Sequence, residues 1–370
     1  MSIQWLDPKR SLVAVSNSIL KRFNQPQFND SLIDLDTILA QHKKVVFILL
    51  DGLGKSIIDL NVNKRKSIFT HNDIIGITSV YPPTTVAATN AFLSGRFPSE
   101  TGWLGWTQYF AEDNRALNVF QNYDPWENRQ ILGENIMSKR YGYQNVFSIV
   151  KANCPEVDVE EIWPSFRPNG AKNIFSFTRK ISRAIKNKEQ SLVYAYWIEP
   201  DHTIHMDGVS GKKTKRVIRR IDFFLRNLTR HNKDTLFVLM ADHGLTDVHF
   251  FDIQEHEDFF STLKRPFALE PRTATFFVKD HHEEEFVRLF KKYYGQYFLL
   301  KSKSEVLQEN IFGPQPMKKD IQDFLGEYVA LATDKYGFYY SSLKEKPFMK
   351  AHHAGLLSEE LDINLTLVNK

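Results

Sequence analysis

Cysteine is almost missing from this chain: Cys154 is the only one in 370 residues. A single thiol excludes an intrachain disulfide and any zinc site built from thiolates. Long apolar runs are also missing, and none approaches the ~20 residues that a membrane-spanning helix needs. The opening segment, MSIQWLDPKR, lacks the basic-then-apolar order of a secretory signal. The expectation is a cytoplasmic protein with no membrane partner. Neither sign of charge dominates, since 48 Lys and Arg stand against 44 Asp and Glu, a formal +4. With the signs interspersed, this reads as a solvated surface mildly favourable to anions, not as a nucleic-acid tract. Internal repeats and low-complexity segments are absent, and nothing fixes an oligomeric state. What is present, 42% hydrophobic and 13% aromatic residues, is enough to fill a core.

Three apolar runs each end abruptly in an aspartate: VVFILLDG at Asp51, LVYAYWIEPD at Asp201 and LFVLMADHG at Asp242. Runs of this length bounded by Gly or Pro read as buried parallel strands. In open α/β sheets ligands bind beyond the carboxyl ends of the strands. Three carboxylates meeting there, with His205 and His243 beside two of them, repel one another unless cations intervene. The pattern predicts a metal site.

Strand–helix alternation predicts an α/β fold, a mostly parallel central sheet with helices on both faces. Residues 1–43 read as a helical lead-in, with apolar residues at helical spacing in SLVAVSNSILKRF and SLIDLDTILAQH. Residues 44–254 and 346–370 form the expected catalytic domain, and 255–345 an inserted α+β cap. Within the domain, strands are expected at VVFILL, IIGITSV, NVFSIV, SLVYAYW and TLFVLM. Helices are expected at GKSIIDL, TVAATNAFLS, near 127–141, around 172–187 and over TKRVIRRIDFFLRNLTRH. In that last helix the arginines lie largely off the apolar face, as on a solvated outer helix.

DGLGKS imitates the end of a phosphate-cradling G-x-x-x-x-G-K-[ST] loop, but Leu49 occupies the place of the first glycine. Lys55 therefore reads as an exposed residue of the following helix. Asp201 and His205 are four apart, which places both on one helical turn. Asp242 and His243 can serve one ion only where the strand breaks, as Gly244 permits. Carboxylate and imidazole together suit zinc or a similar ion, although any one such pair is also an ordinary structural hydrogen bond. Thr85 starts a helix, where free N–H groups favour an alkoxide or a phosphate. Alone it is merely a helix-start threonine; beside a divalent metal it is a nucleophile. Thr84 is its rival.

FILLDGLG, SVYPPTTVAATNAFLSGRFPSETGWLGW, EPDHTIH, ADHGLTD and HHAGLLSEEL together resemble the alkaline phosphatase superfamily, in particular its type I phosphodiesterase/nucleotide pyrophosphatase branch. The resemblance runs from about residue 45 to 253 and resumes near 350. It implies two divalent ions, zinc by preference with Mn²⁺ or Mg²⁺ as alternatives. One site would hold Asp201, His205 and His353; the other Asp51, Asp242, His243 and Thr85. The H-x-G-L-x-x-E-E shape favours His353 over His352. Two dications against three carboxylates and an alkoxide leave a nearly neutral site that a phosphate ester can enter. The implied reaction is two in-line displacements through a phospho-threonine at Thr85.

One departure stands out. Where eukaryotic members carry an asparagine some twenty residues past the nucleophile, this chain has Trp106 in GWLGWT. Asn90 or backbone N–H groups are then the candidates for the phosphate contact, and Trp103 and Trp106 for stacking a flat leaving group, unless they only pack the domain edge. The substrate expected is a small phosphodiester or nucleotide. Alternatives are a phosphomonoesterase or phosphomutase on the same core, or a metal-containing binding protein without catalysis. Asp247 is either a partner orienting His243 or a loop cap.

Overall fold

The computed structural model describes residues 2–342 and 349–370; the boundary expected at 345 lies outside them. Its central sheet has six strands in the order Asp73–Thr78, Asp362–Val368, Leu236–Met240, Lys44–Leu50, Ser191–Trp197 and Asp158–Ile162. Lys44–Leu50 runs parallel to both Leu236–Met240 and Ser191–Trp197, and the latter parallel to Asp158–Ile162. Asp362–Val368 is antiparallel to its two neighbours, so the sheet is mixed. The three strands that lead to aspartates are adjacent and buried along nearly their whole length. That explains their unbroken apolar sequences.

Helices pack against this sheet. Leu12–Arg22 lies against Thr85–Ser94, where Asn17 Nδ2 donates to Gly95 O at 2.9 Å. The N-terminal segment thus braces the far end of the helix that Thr85 starts. In Lys212–Arg230, Ile218, Ile221, Leu225 and Leu228 are buried while Arg216, Arg219, Arg220 and Arg226 face solvent. Among the described residues no helix is long and apolar enough to cross a membrane.

A second sheet has eight antiparallel strands. It combines strands between 268 and 332 with four short ones between 107 and 130. Its hairpin of Ala268–Glu270 and Thr273–Phe276 meets the start of the Thr85–Ser94 helix, where Thr84 Oγ1 donates to Glu270 Oε1 at 2.7 Å.

Two expectations are corrected. NVFSIV is not a strand but the helix Val146–Asn153. Asn145 accepts from Phe147 N–H at 2.9 Å and starts the helix. Val146, Phe147, Ile149 and Val150 are buried at helical spacing, so packing overrides β-branched propensity. The sheet's edge strand follows instead at Asp158–Ile162. The helix near 127–141 shrinks to Ile136–Arg140, because Asn128 and Gly133 adopt positive φ and a short strand pairs at Arg129–Gln130.

Candidate metal centre

Strand order assembles the site. Asp51 follows one central strand directly, Asp242 follows its neighbour after Ala241, and Asp201 follows the other neighbour after a short turn. Asp201 N–H donates to Asp51 O at 3.0 Å, and Asp51 N–H to Trp197 O at 3.0 Å. The turn at Gly52 has φ +71°, and a Cβ there would lie 2.9 Å from Asp201 Cβ. Only glycine lets the Asp51 and Asp201 loops touch.

The ligand-type atoms of Asp51, Asp242 and His243 form one mutually close set, and those of Asp201, His243 and His353 a second. His243 Nε2 is 3.4 Å from Asp51 Oδ1 and 3.6 Å from Asp242 Oδ2. Thr85 Oγ1 lies 3.1 Å from His243 Nε2 and 3.3 Å from Asp51 Oδ1. His205 Nε2 is 3.3 Å from Asp201 Oδ1, close enough for charge attraction but off the line of a hydrogen bond. The ring of His353 sits 4.1 Å from that of His243 and 5.2 Å from that of His205. All seven residues expected in the site are therefore neighbours. His243 bridges both sets, whereas the sequence reading gave it to one.

His352 is also close, its ring 5.0 Å from that of His205. Its Nδ1 accepts from His353 N–H at 2.9 Å, whereas His353 Nδ1 is buried without a partner among the described residues. Asp242 Oδ2 and Asp201 Oδ1 share that condition. Buried polar atoms are rarely left so. Two carboxylate oxygens and an imidazole nitrogen, orphaned within one cluster, are the donor set a divalent cation would satisfy.

Electrostatics agree. Burial, reinforced by Asp242 and Asp201, pushes the Asp51 carboxyl well above its ordinary range. Burial, opposed by the Gly52 N–H and aided by Asp201, raises Asp242 to about 7. Burial would lower His205, but the Asp201 carboxylate overrides it and holds the imidazole up at about 9. Burial and the neighbouring His243 drive His353 well below its usual value. Protein dipoles hold the acids in place: Tyr196 donates its hydroxyl hydrogen to Asp51 Oδ2, and Gly52 N–H donates to Asp242 Oδ1 at 3.0 Å.

The expected substrate contacts fare differently. Asn90 is buried, donating to Val86 O at 2.7 Å and accepting from Tyr143 at 2.6 Å, so its amide serves packing. Trp103 is buried with its Nε1 donating to Tyr141 O at 3.0 Å, the plainer of its two readings. Trp106 remains 37% exposed, edge-on to the exposed Phe120. Asp247 accepts from Val209 N–H at 2.9 Å and acts as a loop cap. Lys55 is exposed beside Asp59, 3.6 Å away.

Sequence reasoning missed Tyr196, Glu270 and Arg272. Glu270 is buried in the hairpin of the second sheet, where Oε1 accepts from Thr84 Oγ1 at 2.7 Å and from Trp106 N–H at 2.8 Å. Burial raises it to about 7. Two residues on, Arg272 is fully buried and bidentate to Glu360, with both distances 2.7 Å. Glu360 in turn accepts from Gly355 N–H at 2.8 Å, which fixes the loop that carries His353. An acid and an arginine inside ALEPRTATF, an otherwise apolar stretch, were the available signal.

A search among curated protein sequences finds no match. Solved structures of similar fold include murine ectonucleotide pyrophosphatase/phosphodiesterase 5, in an inactive threonine-to-alanine form in complex with AMP. It is 17% identical with a TM-score of 0.65, over 88% of this chain and 87% of that one. The human ectonucleotide pyrophosphatase/phosphodiesterase 5 gives 14% identity and a TM-score of 0.62, over 87% of each chain. The family model for type I phosphodiesterase/nucleotide pyrophosphatase matches residues 45–355. With most of the chain matched, this protein belongs to the type I phosphodiesterase/nucleotide pyrophosphatase family, a family of phosphate-ester hydrolases.

Proposed function

We propose that this protein hydrolyses phosphodiesters or nucleotide pyrophosphates through Thr85, with two zinc ions held by Asp51, Asp201, His205, Asp242, His243 and His353. The observation that carries the reading is the position of Thr85 Oγ1, 3.1 Å from His243 Nε2 and 3.3 Å from Asp51 Oδ1, at the start of the Thr85–Ser94 helix. Bound metal would neutralise the carboxylates and polarise the oxygens of the phosphoryl group.

The chain's own residues supply the rest. Thr85 donates to Asp51 Oδ1, so its proton has an acceptor as Oγ1 turns toward phosphorus. The first amides of the helix that it begins point at the incoming phosphoryl oxygens. A bond from Thr85 Oγ1 to phosphorus forms as the ester bond to the leaving oxygen breaks. Water then cleaves the phospho-threonine and returns the hydroxyl. The AMP held by the murine neighbour and its inactivating threonine-to-alanine exchange support a nucleotide-type substrate and a threonine nucleophile.

Diesters are favoured over monoesters because the arginines at hand are committed. Arg272 is taken by Glu360, and Arg96 lies over the Phe28 ring at 3.5 Å, at the far end of the helix. A dianionic monoester would want such a cation free. Carboxylate and imidazole ligands suit zinc better than Mg²⁺.

The test is hydrolysis of bis-p-nitrophenyl phosphate against p-nitrophenyl phosphate with Zn²⁺ or Mn²⁺, in the native chain and in Thr85→Ala. The expected result is preference for the diester, lost in Thr85→Ala while elemental analysis still finds bound metal. Unchanged hydrolysis in that variant would remove Thr85 from the chemistry.

A further inference from the structure

Thr84 immediately precedes the Thr85–Ser94 helix with extended backbone angles, φ −137° and ψ 149°. A threonine there ordinarily turns its hydroxyl oxygen onto the second or third amide of the helix and caps it. Thr84 makes no such side-chain bond. Its hydroxyl donates instead to Glu270 Oε1 at 2.7 Å, and the same oxygen accepts from Trp106 N–H at 2.8 Å. Both partners are buried, Thr84 with 1% and Glu270 with 2% of its surface exposed. Burying a carboxylate is costly, so its placement calls for a reason. The hairpin that carries it is held on both sides. Arg272 is locked to Glu360, and Thr273 Oγ1, 2.6 Å from Tyr81 Oη, donates to Ala354 O.

We propose that Glu270 is a positioning residue for the phosphoryl site: it draws the Thr84 hydroxyl off the helix and leaves the amides beside Thr85 open to the phosphoryl oxygens. Its bond to Trp106 N–H fixes the segment that, by the sequence resemblance, stands where eukaryotic members carry an asparagine. The second sheet thereby sets a property of the first, because a capped helix start has fewer donors for an anion. It also turns the Thr84 hydroxyl toward Glu270, away from the His243 and Asp51 side chains that Thr85 Oγ1 faces. This inference rests on the reading of Thr85 and its helix as the phosphoryl site.

The experiment is a double-mutant comparison with bis-p-nitrophenyl phosphate as substrate and inorganic phosphate as competitive inhibitor. Glu270→Ala frees Thr84 to cap, so kcat/KM should fall about tenfold, the size of one capping hydrogen bond, with KM and the phosphate Ki rising together. In the Thr84→Val background no hydroxyl can cap, and the same Glu270→Ala change should cost about twofold or less. Glu270→Gln keeps an oxygen for both donors and should retain most of the native kcat/KM. An equal cost of Glu270→Ala in both backgrounds overturns the proposal, since a purely structural role would give that result. So does Glu270→Gln falling about tenfold, an outcome readable even if the alanine variant fails to fold. The two readings separate cleanly. Hydrolysis surviving in Thr85→Ala sinks the phosphoryl site itself, whereas a dead Thr85→Ala with background-independent Glu270 effects sinks this inference alone.

Discussion

Asp242→Asn separates what the site does for stability from what it does for function. Asp242 is fully buried, and its folded-state pKa stands at about 7 against an ordinary 3.8. A carboxyl raised on folding lends stability that is complete below its unfolded pKa and is lost as pH rises through its folded one. The window here runs from 3.8 to about 7. Three units at ~1.4 kcal/mol each amount to about 4 kcal/mol. Asparagine does not titrate, its Oδ1 can keep the Gly52 N–H, and its neutrality also relieves Asp51, which Asp242 helps to push up. In EDTA, the stability of Asp242→Asn relative to native should therefore improve by about 4 kcal/mol between pH 4 and pH 8. Using the difference between two pH values cancels any packing cost of the substitution. Added zinc at pH 8 should narrow the variant's advantage, because the native chain gains about 2.7 kcal/mol at a hundredfold excess over Kd and the variant far less. Urea midpoints at both pH values, with metal content by elemental analysis, give the answer. If the two proteins keep a constant gap across pH in EDTA, Asp242 is not a repelled carboxylate and the electrostatic case for metal fails.

Arg272→Met strips a buried charge pair of one partner and should destabilise the chain by about 3–5 kcal/mol, with Glu360→Leu in addition restoring much of it; melting temperatures unchanged in the single variant would remove the pair from the account. Gly52→Ala combines a positive φ with a Cβ 2.9 Å from Asp201 Cβ. It should part the Asp51 and Asp201 loops and lower bound metal in elemental analysis, and full occupancy would contradict the loop geometry.

How much was legible depended on whether the signal was local. The three strand-plus-aspartate runs are contiguous in sequence, and the parallel sheet needs such strands at its buried centre, so Asp51, Asp201 and Asp242 converge as expected. Gly95 at positive φ ends the Thr85 helix where the pattern placed its end. NVFSIV was misread because Val and Ile favour strands, while the deciding facts, an Asn145 cap and a buried helical face, are a cap geometry and a packing outcome. Glu270 and Arg272 lay beyond reach for another reason. Their partners Thr84 and Glu360 are 186 and 88 residues away, and no periodicity records a contact between segments so far apart. The same holds for His243, whose bridging position follows from strand order, not from its neighbours in sequence.

The site's acids are not equivalent, and the difference predicts what metal binding releases. Asp201 has a cationic partner of its own: His205 at 3.3 Å outweighs burial and keeps that carboxyl below its ordinary value. For Asp51 and Asp242 burial outweighs the help from Tyr196, Gly52 N–H and the nearby His243, and both rise. Without metal, then, the imidazole of His205 carries a proton until pH rises through about 9. A ligating imidazole must give its proton up. At pH 8, where Asp242 is already ionised, loading zinc should expel about one proton from His205. Toward pH 6 the proton held by Asp242 joins it, so the number released grows as pH falls. Calorimetric titration with zinc in buffers of different ionisation enthalpy counts these protons directly. A count near zero at pH 8 would mean that His205 stays charged beside Asp201 and lies outside the metal's inner shell.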